Sequence, residues 1–81
     1  MTTYKCDIKM QYGKYSSHVW KATERAGEAV ATDLGSSSQA IDQCIKAVEK
    51  FGFDQGDEVI FRESSYGSLS ELRHVMSRAP Y

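Results

Sequence analysis

His18 and His74 are the two histidines of this chain, and Cys6 and Cys44 its two cysteines. With the serines they are its main candidates for nucleophilic chemistry. Such chemistry needs a nucleophile, a base and a group that orients the base. No serine lies in a Gly-x-Ser-x-Gly elbow, so nothing pairs either histidine with a nucleophile, and the chain reads as a non-enzyme. Metal chemistry lacks its spacings too. There is no Cys-x-x-Cys and no His-x-x-x-His. The acidic run Asp54, Asp57, Glu58 and Glu63 lacks the Asp-x-Asp-x-Asp-Gly order of a calcium loop and reads as a solvated turn. Gly35-Ser36-Ser37-Ser38 at a helix start has amides that could hold a phosphate, but it lacks the lysine and second glycine of a P-loop. Helix capping accounts for those residues. No cofactor or metal is expected. The cysteines fall on inward faces and read as small buried thiols, with a redox bridge between them left open.

Binding chemistry has more to work with. The first 25 residues hold five basic groups (Lys5, Lys9, Lys14, Lys21, Arg25) against Asp7 and Glu24, a net of +3. Residues 26–71 carry nine acidic groups against three basic ones, a net of −6, and Arg73 and Arg78 add +2. The molecule is therefore expected to be polarised, although its formal net charge is only −1. Lysines interleaved with aromatics can hold single strands by stacking. Lys5, Lys9, Lys14 and Lys21 with His18 and Tyr15 would form such a face. Exposed strands also use lysine to deter edge pairing. The acidic residues Asp54, Asp57, Glu58 and Glu63 would suit a basic protein surface. Tyr15, Tyr66 and Tyr81 fall in expected loops or at the terminus, and loop tyrosines beside charge are typical interface anchors.

The elements that must position these residues follow from periodicity. Tyr4, Cys6, Ile8, Met10 and Tyr12 alternate with Lys5, Asp7, Lys9 and Gln11, which predicts a strand over Thr3 to Tyr12 with one apolar face. Gly13 to Ser17 reads as a loop. A second strand is expected over His18 to Arg25, with Trp20 and Ala22 on one face and Val19, Lys21 and Thr23 on the other. Ala26-Gly27 would reverse the chain. A third strand is expected from Glu28 to Asp33, with Val30, Thr32 and Leu34 inward. Ser36 and Gln39 have capping-box spacing, and Ala40, Ile41, Cys44, Ile45, Val48 and Phe51 make a helical stripe. Gly52 should end that helix in a Schellman motif, with Phe53 packed back on Val48. Glu58 to Glu63 reads as a fourth strand and Ser64-Ser65-Tyr66-Gly67 as a loop. Ser68-Leu69-Ser70-Glu71 caps a second helix bearing Leu69, Leu72, Val75, Met76 and Ala79, with Pro80 just past its end.

The expected fold is thus one α+β domain over residues 1–81. It is a two-layer sandwich of four strands and two helices in the order β-β-β-α-β-α, and its sheet is mainly antiparallel. The first helix would cross over and set strand four parallel to strand three or strand one. An apolar fraction of 41% and a charged fraction of 26% exclude a disordered chain. No stretch approaches the roughly 18 apolar residues of a membrane span, and the N-terminus has no apolar signal region. A cytoplasmic location is expected.

The meander running through Gly35-Ser36-Ser37-Ser38 into an Ala/Ile-rich helix resembles the second half of a double-stranded-RNA-binding domain over about Tyr4 to Gly52. The lysine pair of that family falls here on Ser37, Ser38 and Gln39, and its loop histidine on His18. In size and build the chain is also similar to small inhibitor proteins of phages and mobile elements, anti-CRISPR proteins among them. That resemblance implies blocking a host protein complex by steric or charge-mimicking contact. The expectation is a non-enzymatic protein-binding module whose partner is a host protein or complex. The alternative is a nucleic-acid-binding module using the basic face of strands one and two. A homodimer joined through an edge strand is a third possibility.

Overall fold

The structure, a computed structural model, describes residues 1–25, 27 and 29–81. Five strands and two helices follow one another as β1 (Thr3–Gln11), β2 (Lys14–Lys21), β3 (Ala29–Leu34), α1 (Ser37–Lys50), β4 (Glu58–Phe61), β5 (Ser64–Tyr66) and α2 (Leu69–Arg78). The α+β class holds, but the sheet has five strands rather than four, in the order β3-β2-β1-β4-β5. The added strand is the segment that reads as a loop. Ser64, Ser65 and Tyr66 pair antiparallel with Phe61, Ile60 and Val59. The chain turns over Arg62-Glu63, so the fourth strand ends two residues early. The reversal expected at Ala26-Gly27 and the strand start expected at Glu28 fall on residues 26 and 28, outside the described residues.

β1 lies at the centre of the sheet, antiparallel to β2 and parallel to β4. The parallel pairing begins where Asp57 accepts the Thr2 N–H at 2.8 Å and the Glu58 N–H donates to the Thr2 carbonyl at 3.1 Å. The alternation of β1 turns Tyr4, Cys6 and Ile8 into the core. It does not carry through to the strand end. Met10 is half exposed and Tyr12 is 94% exposed, because the chain turns at Tyr12-Gly13 beyond the reach of the helices.

Both helices pack on this one face. Ala40, Ile41, Cys44, Ile45 and Val48 of α1 and Leu72 and Met76 of α2 meet Tyr4, Cys6, Ile8, Val19, Val59 and Phe61 in a continuous apolar cluster. Fully burying each large aliphatic side chain is worth about 1.5–3 kcal/mol. Phe51, expected in the α1 stripe, is 45% exposed and stacks on Tyr4 with ring centroids 6.1 Å apart. Val30 and Thr32, expected inward, are exposed at the sheet edge.

The caps form as their residue types require. Ser36 accepts the Gln39 N–H, while Gln39 Oε1 reaches past it to the Gly35 N–H at 2.8 Å. At the far end Gly52 has φ 95, its N–H donates to Glu49 and the Phe53 N–H donates to Val48, which is the full Schellman pair. Ser68 accepts the Glu71 N–H at the start of α2. Among the described residues, no helix is long and apolar enough to cross a membrane.

Candidate functional site on the open sheet face

The face of the sheet turned away from the helices is set by register. Lys5 lies opposite Trp20 on β2 and Ile60 on β4, and Ile60 lies opposite Ser65 on β5. A row of Trp20, Lys5, Ile60 and Ser65 therefore crosses four strands, about 14 Å at the usual strand spacing. The next rows pair Asp7 with His18, Lys9 with Ser16 and Gln11 with Lys14. Trp20, Lys5 and Ile60 are half-buried by one another, around a shallow hollow of about 240 Å³ that Asp7 and Arg62 also line.

The inner face of β2 explains why the tryptophan points outward. Ser17, fully buried, donates to the Ala40 carbonyl at 2.7 Å, and Val19 follows it into the core. With Ala40 also fully buried, α1 lies too close to β2 for a large ring, and the bulky residues of the strand take the other side.

His18 shares a hydrogen bond with Ser16, Nε2 to Oγ at 3.0 Å, which is nucleophile–base distance. Asp7 sits across from His18, but its carboxylate accepts the Ile8 N–H at 2.9 Å instead. Among the described residues, no hydrogen bond joins Asp7 to the His18 ring.

The basic residues split. Lys5, Lys9, Lys14 and His18 share the open face with Trp20. Lys21 lies opposite Tyr4, in helix-side register at the strand end, and Tyr15 lies opposite Met10, also on the helix side. Tyr15 and Tyr66 are not loop residues. Tyr15 belongs to β2 and Tyr66 to β5, and both pack against the core. Tyr81 packs there too, donating its hydroxyl to the Met76 carbonyl at 2.7 Å, and burial pushes its phenol up to about 12.

The acidic residues are divided between the two ends of β4. Asp54, Asp57 and Glu58 sit at its start, and Glu63 lies beyond its end. Asp57 is turned inward. It accepts the Thr2 N–H and, at 2.9 Å, the Asp54 N–H, and these bonds hold its carboxyl below the usual range. Asp54 accepts the Gln55 N–H and Glu58 accepts the Thr3 hydroxyl, so three of these carboxylates serve the turn and the strand start.

The thiols sit in the core. Burial first, then the charges of Cys44 and Asp7, raise the Cys6 thiol far above its ordinary value. Burial also lifts Cys44 to about 11 against the pull of hydrogen bonds from Ser17 and His18. Both sulfurs are free and buried away from solvent.

A groove of about 680 Å³ runs between α1 and α2 over Ile41, Ile45 and Leu69. Arg73 and Asp42 bridge the two helices, so its guanidinium is already paired, and that bond lowers the Asp42 carboxyl. Among the described residues, no group of three or more His, Cys, Asp or Glu is placed to hold a metal ion. Sequence reasoning gave Trp20, Ile60 and Arg62 no place in a binding surface. The available signal was Ser17-x-Val19, a small-then-aliphatic pair that fits under a close helix. No protein-family model, no curated protein and no solved structure matches the chain.

Proposed function

We propose that the protein is a non-enzymatic protein-binding module that acts in the cytoplasm and docks its open sheet face on a host protein or complex, as a small phage-type inhibitor would. The observation that carries this reading is the Trp20–Lys5–Ile60 row. An aromatic and an aliphatic side chain stand at the centre of an uncovered sheet, ringed by Lys9, Asp7, His18 and Glu58. An apolar centre with a mixed polar rim is the usual anatomy of a protein interface, and tryptophan is its commonest anchor. Blocking then follows from coverage, since a docked sheet face excludes the natural ligand of the surface it occupies.

The test is size exclusion with light scattering on wild type and Trp20→Ala, each mixed with host lysate fractions and with short RNA and DNA duplexes. The reading expects co-elution with one host complex for wild type, and loss of it in the variant with an unchanged circular dichroism spectrum. Co-elution that survives Trp20→Ala removes the open face from the interface.

One observation favours a second reading. Lys5, Lys9, Lys14 and His18 share their face with Trp20, an arrangement that suits a stacked single strand. Asp7 and Glu58 on the same face work against it. Nucleic-acid binding would appear as a duplex or single-strand shift that weakens steeply with salt.

A further inference from the structure

The two edges of the sheet are unequal. β5 at one edge has three residues, while β3 at the other has six, Ala29 to Leu34. An edge strand offers a row of unpaired amides and carbonyls, and proteins usually blunt it with lysine, proline or brevity. The run Ala29-Val30-Ala31-Thr32 has none of these, and its small side chains screen the backbone little. Its register against β2 shifts twice, each time with one extra residue on β3, which bends the strand but leaves its outer edge unpaired. The first charged residue of the strand, Asp33, has a left-handed backbone at φ 57 and ends the extended track.

Beside this edge a groove of about 490 Å³ opens between β3 and α1, lined by Val30, Gln43, Lys46, Ala47, Lys50 and Phe51. Val30 and Phe51 are 40% and 45% exposed, and they are two of the large apolar side chains that the fold leaves open to water. Lys46 and Lys50 stand one helical turn apart on the same wall.

We propose that the β3 edge and this groove form a docking track for an extended acidic–apolar peptide segment, which adds to the sheet as a strand beside β3. Main-chain bonds to β3 would supply affinity, and alternate side chains would supply specificity. Side chains two residues apart in the added strand point to one face. The ligand therefore carries an apolar side chain over Val30, Ala47 and Phe51 and, two residues away, a carboxylate at Lys46 or Lys50. A second copy of the chain fits less well. Symmetric pairing of two β3 edges would bring two Lys46–Lys50 pairs to one seam, where like charges repel. A nucleic acid has no amide ladder to offer the edge.

The probe is an acetylated, amidated hexapeptide, Thr-Val-Thr-Glu-Thr-Val, with a second peptide carrying Lys in place of Glu. Amide nitrogen–proton shifts of the labelled protein are followed as each is added. The glutamate peptide should move the amides of residues 29–32 and 46–51, with a dissociation constant on the order of 0.1–1 mM, ordinary for so short a ligand. The exposed double variant K46E/K50E should weaken it about tenfold and reverse the preference to the lysine peptide. Val30→Asp should abolish the shifts, with the rest of the spectrum unchanged. The proposal is overturned by shifts confined to other surfaces, by no shift at several times the expected constant, or by a charge preference that ignores K46E/K50E. It is also overturned if the protein alone doubles in mass and Val30→Asp restores the monomer, since β3 would then be occupied by its own copy.

Discussion

In the β1–β2 hairpin the first turn residue is Tyr12, with φ 54 and 94% of its surface open to water. In the β4–β5 hairpin it is Arg62, with φ 60. Its guanidinium donates to the Pro80 carbonyl at 2.6 Å and lies 5.2 and 5.5 Å from the ring centres of Phe61 and Tyr81. A left-handed backbone costs a residue with a β-carbon about 1–2 kcal/mol. Arg62 offsets that cost with a charge-assisted hydrogen bond and two cation–π contacts. Tyr12 has only the fit of its turn, whose second residue Gly13 is also at positive φ (75) and so matches the twist of the strands. The same backbone device thus serves the fold in one hairpin, tying down the C-terminal residues, and in the other leaves an aromatic side chain in water.

The largest effect should come from breaking the seam where the two hairpins meet. Asp57→Ala removes the acceptor for the Thr2 and Asp54 amides and should lower the melting temperature by several degrees, read by circular dichroism. The effect should depend on pH. The Asp57 carboxyl is held below its unfolded value of about 3.9, first by the Thr2 amide and then by the Asp54 amide. Its contribution is therefore present above pH 4 and lost as pH falls through the lower folded value, so the gap between wild type and variant should close in acid. A gap that does not narrow at all as the pH falls below 4 would mean that the carboxylate charge is not what matters.

Next comes the direct contrast, the same replacement in each turn. Asparagine tolerates the left-handed region, so Arg62→Asn loses only the contacts and should destabilise by about 1–1.5 kcal/mol in urea. Tyr12→Asn loses no contact that buries it and should stabilise by about 0.5–1 kcal/mol. Equal signs would erase the distinction between the two turns. The smallest change is Tyr81→Phe, which gives up the hydroxyl bond to Met76 and should cost about 0.5–1 kcal/mol. In wild type the Tyr81 phenol, raised by burial to about 12, should be a late step in an absorbance titration, and the variant should lack it.

What was legible in the sequence had a strong period or a cap. The core half of β1, the α1 stripe as far as Val48, both serine caps and the Gly52 ending all follow from residue types in fixed spacing. What was not legible turned on tertiary fit. β5 reads as a loop because Ser64-Ser65 has no apolar signal, and the turn before it is Arg-Glu, without the glycine or asparagine that marks a hairpin. Tyr15 reads as a loop residue because Gly13 opens the turn one residue later than the true boundary. Trp20 is the plainest case. Alternation separates Trp20 from Val19 without saying which face is inward, and the nearness of α1 at Ala40, which leaves room there only for Ser17, decides it. The acidic run illustrates a different limit, since neighbours in sequence were separated by a strand placed between them.

The parallel pair β1–β4 also sets when this chain can fold. β1 is made before the rest of its sheet, yet one of its two neighbours comes only after β2, β3 and α1, with Thr3 facing Glu58. During synthesis at about 5–20 residues per second, the β1–β2 hairpin waits for seconds with one long side of its central strand unpaired. α1 must form and cross before β4 can close that side. The half-made domain therefore exposes one side of the strand that ends up central in the sheet, and that exposure lasts until β4 is in place.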